Sequence, residues 1–68
     1  MQTKPAELKV AIIYSGLSQK GLAHKSGITR NYLNQVINQK KEASHITAKK
    51  IADALGKDME ELFEIREG

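Results

Sequence analysis

The sequence contains no cysteine, which excludes a disulfide framework and a thiolate zinc site. With no tryptophan, two tyrosines and one phenylalanine, it lacks the aromatic platform on which single-stranded RNA readers stack bases. No apolar run approaches the length of a bilayer span, and the opening MQTKPAELKV has no apolar core of the kind a signal peptide needs. A soluble cytoplasmic protein with no membrane association is therefore expected. No segment alternates apolar and polar residues over several positions, so no strand is expected either. No nucleophile stands at a recognisable spacing from a base, and no glycine loop is built to cradle a phosphate. His24 and His45 lack a second ligand at metal spacing. The chain reads as a non-enzyme with no cofactor and no metal.

What is present is 68 residues, enough for one small domain spanning 1–68 that depends on efficient helix packing. The net charge of +3 conceals a division. Residues 1–57 carry ten Lys and Arg against Glu7, Glu42 and Asp53, a net +7. Residues 58–68 carry Arg66 against five acids, a net −4. Such asymmetry suits a basic working surface with an acidic end held away from it.

Caps and apolar spacing predict five helices. The first runs from about Pro5, pre-organised for a helix start, with Thr3 or Lys4 as cap, to Ser15. It turns Leu8, Ala11, Ile12 and Ser15 to one side and stops at Gly16. The second starts at the cap Ser18, buries Leu22 and Ala23, and ends near Lys25 before Gly27. Gly21 in its interior weakens it by about 1 kcal/mol. Thr29 caps the third, Arg30 to Asn38, which buries Leu33, Val36 and Ile37. After the polar loop QKKEA, Ser44 caps a fourth helix through Leu55, with Ile46, Ile51, Ala52 and Leu55 inward and Gly56 closing it. Asp58 with Glu61 matches a capping box and starts a fifth helix carrying Met59, Leu62, Phe63 and Ile65. The fold class expected is all-α, a compact five-helix domain.

Helices two and three have the spacing of a helix-turn-helix over about residues 18–38. Counting from Gln19, Ala23 stands fifth, where the helices cross closely, and Gly27 ninth, in the turn. Leu22, Ile28, Leu33 and Val36 stand fourth, tenth, fifteenth and eighteenth, facing a shared core. With these residues in place, LSQKGLAHKSGITRNYLNQVIN resembles the helix-turn-helix of the Cro/CI-type (XRE-like) phage and bacterial regulators. ITAKKIADALGKDMEELF is similar to the family's last two helices. The resemblance covers nearly the whole chain and implies a lambda-repressor-like DNA-binding fold, usually dimeric, reading an operator in the major groove. That profile suits a Cro-like repressor.

Four positions depart from the family pattern. Ile12 and Ile37 stand where the family often pairs an Arg with a Glu. Exchanging a buried ion pair for two apolar residues can be neutral or stabilising, so the isoleucines are expected to touch. Gln39 replaces the customary glycine after the third helix, and Asn38, which tolerates the left-handed region, is expected to take over the turn. Lys57 replaces the apolar residue that commonly staples the fifth helix.

In a helix-turn-helix the N-terminal part of the second helix points into the major groove. Thr29, Arg30 and Asn31 occupy that part, with Asn34 and Gln35 one turn on. Arg pairs bidentately with guanine, and Asn or Gln with adenine, each contact discriminating by about 1–3 kcal/mol. Arg30, Asn31 and Gln35 are the expected readers, with Thr29 and Asn34 contributing. Phosphate contacts are expected from Gln19 and the free N–H groups beside it, from Lys20, Lys40 and Lys41, and from Asn38. Tyr32 either lies against the backbone of the DNA or covers the flank of its helix. Lys49 and Lys50 read as solvated surface.

The expected partner is a double-stranded operator bound by a homodimer, which would hold two reading helices about 34 Å apart. Met59, Phe63 and Ile65 are the candidate dimer surface. The competing reading keeps the fold but gives it a protein target, as an antirepressor or corepressor of a partner repressor or as an antitoxin of a toxin. A protein binder would show apolar anchors on the third helix's open face; Arg30, Asn31 and Gln35 favour DNA.

Overall fold

Among residues 1–64, which the computed structural model describes, five helices lie between two very short strands: β1 (Gln2–Thr3), α1 (Pro5–Ser15), α2 (Gln19–Ser26), α3 (Arg30–Ile37), α4 (His45–Leu55), α5 (Met59–Leu62) and β2 (Phe63–Glu64). No helix in this span is long and apolar enough to cross a membrane.

The helix starts follow from the side chains placed there. Ser18, Thr29 and Ser44 accept from the backbone N–H groups of Gly21, Tyr32 and Thr47 at 3.0, 3.1 and 3.1 Å. Each such cap satisfies a donor the helix leaves open and contributes about 1 kcal/mol. In α5 the Asp58 N–H donates to Glu61 Oε2 at 3.0 Å, one arm of the expected capping box. The first helix has no side-chain cap bond, and Pro5 at its start brings one fewer open N–H and a φ already suited to the helix. Between α2 and α3 the chain reverses at Gly27, whose φ of +71° is left-handed and cheap only for glycine.

Leu8, Leu22, Leu33, Val36, Ile51, Leu62 and Phe63 are fully buried, and Ala11, Ile12, Ala23, Ile37, Ala43, Ala48, Ala52 and Ala54 complete one continuous core. α4 packs across α2, α3 lies beside α2, and α5 closes over α1 and α4. Ile12 and Ile37 both belong to this core, on helices that pack against each other. Their burial explains how the domain does without an ion pair at this place.

Four expectations are corrected. Ile46 is 70% exposed, because the inward stripe of α4 runs through Ala48, Ile51, Ala52 and half-buried Leu55. At about 100° per residue, Ile46 stands about 200° round from Ala48. Ser15 is exposed rather than inward, its hydroxyl donating back to the Ile12 carbonyl at 2.6 Å. The left-handed turn after α3 falls on Gln39 (φ +60°), while Asn38 keeps φ −87°.

The fourth correction concerns the strands. β1 and β2 pair antiparallel, Gln2 opposite Glu64 and Thr3 opposite Phe63, and the Lys4 N–H donates to the Leu62 carbonyl at 2.9 Å. Two-residue strands have no periodicity to read. The segment 1–3 is held on its other side by the stretch after α3. Buried Thr3 Oγ1 donates to the Val36 carbonyl at 3.1 Å, and Gln39 Nε2 donates to the Thr3 carbonyl at 3.1 Å. The Met1 amine donates to the Ala43 carbonyl at 2.8 Å. This clasp joins the end of α3 to the end of α5, through side-chain-to-carbonyl bonds on the α3 side and main-chain bonds on the β2 side.

Candidate nucleic-acid interface

Burying Leu33, Val36 and Ile37 fixes which way α3 faces. On a 3.6-residue helix, turning those three inward places Arg30, Asn31, Asn34 and Asn38 outside, and all four are exposed. Gln35 is half-buried on the flank of the same surface. Tyr32 is also half-buried and packs against the core with part of its side chain left open. The Thr29 oxygen accepts the capping bond from Tyr32 N–H at 3.1 Å, which leaves its own O–H to donate outward.

Gln19, the first residue of α2, lies half-buried beside this face. Its Oε1 accepts from Asn34 Nδ2 at 3.3 Å, and Asn34 Oδ1 accepts from Asn38 Nδ2 at 2.9 Å. The candidate reading and phosphate groups are thus brought together across both helices. The Asn34–Asn38 spacing of four is legible in the sequence; the link to Gln19 is tertiary and has no local signal.

Beyond α3 the chain folds back on itself. The Lys40 and Lys41 N–H groups both donate to the Gln35 carbonyl, at 2.8 and 3.3 Å, so these two exposed lysines follow the open face of α3 directly. Lys20 is exposed on the first turn of α2. The ion pairs among the described residues are Lys49–Asp53 at 3.2 Å and the chain's amino group with Glu42 at 3.9 Å. Lys20, Arg30, Lys40 and Lys41 therefore have no carboxylate partner among the described residues. Unneutralised cations around a face of amide and guanidinium donors attract an anionic, hydrogen-bond-accepting ligand.

Other candidates are placed elsewhere. His24 and His45 are exposed, and no group of three or more His, Cys, Asp or Glu side chains is assembled for a metal among the described residues. Of the residues named for a dimer surface, Phe63 is 0% exposed, because it sits in β2 opposite Thr3 with its ring in the core. It offers no surface to a second copy. Met59 is half-buried against the same core, and Ile65 lies outside the described residues. The large apolar side chains that do face outward are Val10, Ile13 and Tyr14 on α1 and Ile46 on α4.

Residues 15–62 match a protein-family model described as helix-turn-helix. The restriction-modification controller protein C.AhdI from Aeromonas hydrophila is 34% identical in sequence to this chain and superimposes with a TM-score of 0.80. That match covers 87% of this chain and 86% of the other. No curated protein sequence gives a match.

Proposed function

The chain belongs to the helix-turn-helix family, in its Cro/CI-like (XRE-type) class, and from that premise we propose that it is a sequence-specific repressor that reads its operator with α3. Membership makes it a DNA-binding transcriptional regulator; the operator reading rests on the surface of α3. Its carrying observation is that core packing leaves Arg30, Asn31 and Asn34 exposed and Gln35 half-exposed, with Arg30 unpaired by any carboxylate among the described residues.

In this reading α3 enters the major groove with its N-terminal turn leading. Arg30 pairs with guanine, and Asn31 and Gln35 with adenine. Thr29 donates its hydroxyl where the helix begins. Gln19, Lys20, Asn38, Lys40 and Lys41 hold the phosphates on either side, which fixes register without reading sequence. The protein acts as a homodimer on two half-sites one helical turn apart and represses by occupying the promoter. Similarity to a restriction-modification controller directs the operator search to the DNA upstream of its own gene and its immediate neighbours.

A second reading, in which the same fold docks on a partner repressor or toxin, draws support from exposed Ile13 and Tyr14 on α1, at 75% and 85%. Those anchors stand on α1 and not on the open face of α3, which favours DNA for that face.

The test is selection of duplexes from a randomised pool, followed by binding of variants to the selected sequence. Arg30→Ala and Gln35→Ala should each cost about 1–3 kcal/mol and relax preference at one base position. Lys40→Ala should weaken all sequences alike and lower the salt slope by about one. A folded protein that selects no sequence refutes the reading.

A further inference from the structure

Three side-chain amides stand head to tail across the helix-turn-helix. Asn38 Nδ2 donates to Asn34 Oδ1 at 2.9 Å, and Asn34 Nδ2 donates to Gln19 Oε1 at 3.3 Å. The chain of bonds runs from the end of α3, through the middle of that helix, to the first residue of α2. Resting on the operator reading above, we propose that Asn34 is a positioning residue and not a base reader: it orients the amides of Gln19 and Asn38 for the DNA backbone.

Two arguments carry this. The first is the chemistry left over. A phosphate only accepts hydrogen bonds, so a side chain that binds it must present donors. By occupying the Gln19 oxygen, Asn34 turns away the wrong end of that amide and leaves both Nε2 hydrogens for an outside acceptor. Asn38 keeps one Nδ2 hydrogen in the same way. Asn34 itself is poorly placed to read adenine, because bidentate pairing needs its oxygen and nitrogen presented together to one base edge. Here its oxygen faces Asn38 and its nitrogen faces Gln19.

The second argument is entropy. A glutamine on a surface samples many rotamers, and immobilising such a side chain on binding weakens affinity by roughly two- to tenfold. Gln19 and Asn38 are both restrained before any ligand arrives, and a single residue restrains both. Losing Asn34 therefore loosens two contacts that flank the reading helix and alters no base contact.

A double-mutant cycle separates this from direct reading. Wild type, Asn34→Ala, Gln19→Ala and the double variant are titrated against the selected duplex and against duplexes changed at single positions. The expected result is a roughly three- to tenfold loss for Asn34→Ala, equal on every duplex. That loss should shrink when Gln19 is already alanine, to the part that acts through Asn38, the mark of coupled residues. In the free protein, the side-chain amide resonances of Gln19 should shift on Asn34→Ala, while urea midpoints stay close to wild type because Asn34 is exposed. Additive losses, with preference relaxed at one base position, overturn the assignment and make Asn34 a reader. If wild type selects no duplex at all, the operator reading falls and this assignment with it.

Discussion

Gln39 is the residue whose replacement discriminates best among the forces acting after α3. It is the non-glycine residue with a left-handed backbone among the described residues, at φ +60°. That conformation costs an L-residue about 1–2 kcal/mol. Offsetting it, Gln39 Nε2 donates to the Thr3 carbonyl at 3.1 Å, a bond contributing about 1 kcal/mol. Gln39→Ala removes the bond and keeps the strain, so it should destabilise the fold by about 1 kcal/mol. Gln39→Gly removes both and should lie close to wild type. Glycine should exceed alanine by about 1 kcal/mol, which for a domain of this size corresponds to about 4–8 °C in Tm. Urea unfolding with all three proteins measures this as a shift in midpoint at constant slope. An alanine variant as stable as the glycine variant would refute the assignment of strain to this position.

Two further predictions concern the core. Phe63→Ala should cost about 3–5 kcal/mol, whereas Ile46→Ala, at a 70% exposed position, should stay within about 0.5 kcal/mol of wild type; thermal unfolding by circular dichroism ranks them. Ile12→Arg and Ile37→Glu should each cost about 3–5 kcal/mol by burying an unpaired charge, and the double variant should recover much of that loss. A double variant no more stable than the worse single variant would show that these two positions do not face each other.

What is legible in the linear sequence is local. A serine or threonine cap is a backbone requirement met within three residues, so Ser18, Thr29 and Ser44 announce their helices, and Gly27 announces the turn between two of them. The open face of α3 follows from the periodicity of Leu33, Val36 and Ile37. The residues that local pattern misplaces are those governed by distant parts of the chain. Phe63 reads as the last turn of an amphipathic helix, but α5 ends at Leu62 and the next residue pairs with Thr3. Asn38 is the better left-handed residue by propensity, but Gln39 can reach the Thr3 carbonyl, and the turn falls where that bond forms. Ile46 reads inward on hydrophobicity, while helical phase, set by two alanines and Ile51, turns it outward. The bond from Asn34 to Gln19, on which the positioning role proposed above rests, has no local signal in the linear sequence.

Binding to the selected duplex and to a scrambled duplex of equal length, measured across a range of salt, decides whether α3 reads sequence. Log K should fall linearly with log salt on both duplexes, from the phosphate contacts around Gln19, Lys40 and Lys41. The selected duplex should be preferred by about a thousandfold or more, a preference reduced by Arg30→Ala without loss of fold. Equal affinity for the two duplexes, or a preference untouched by Arg30→Ala, would contradict reading by α3.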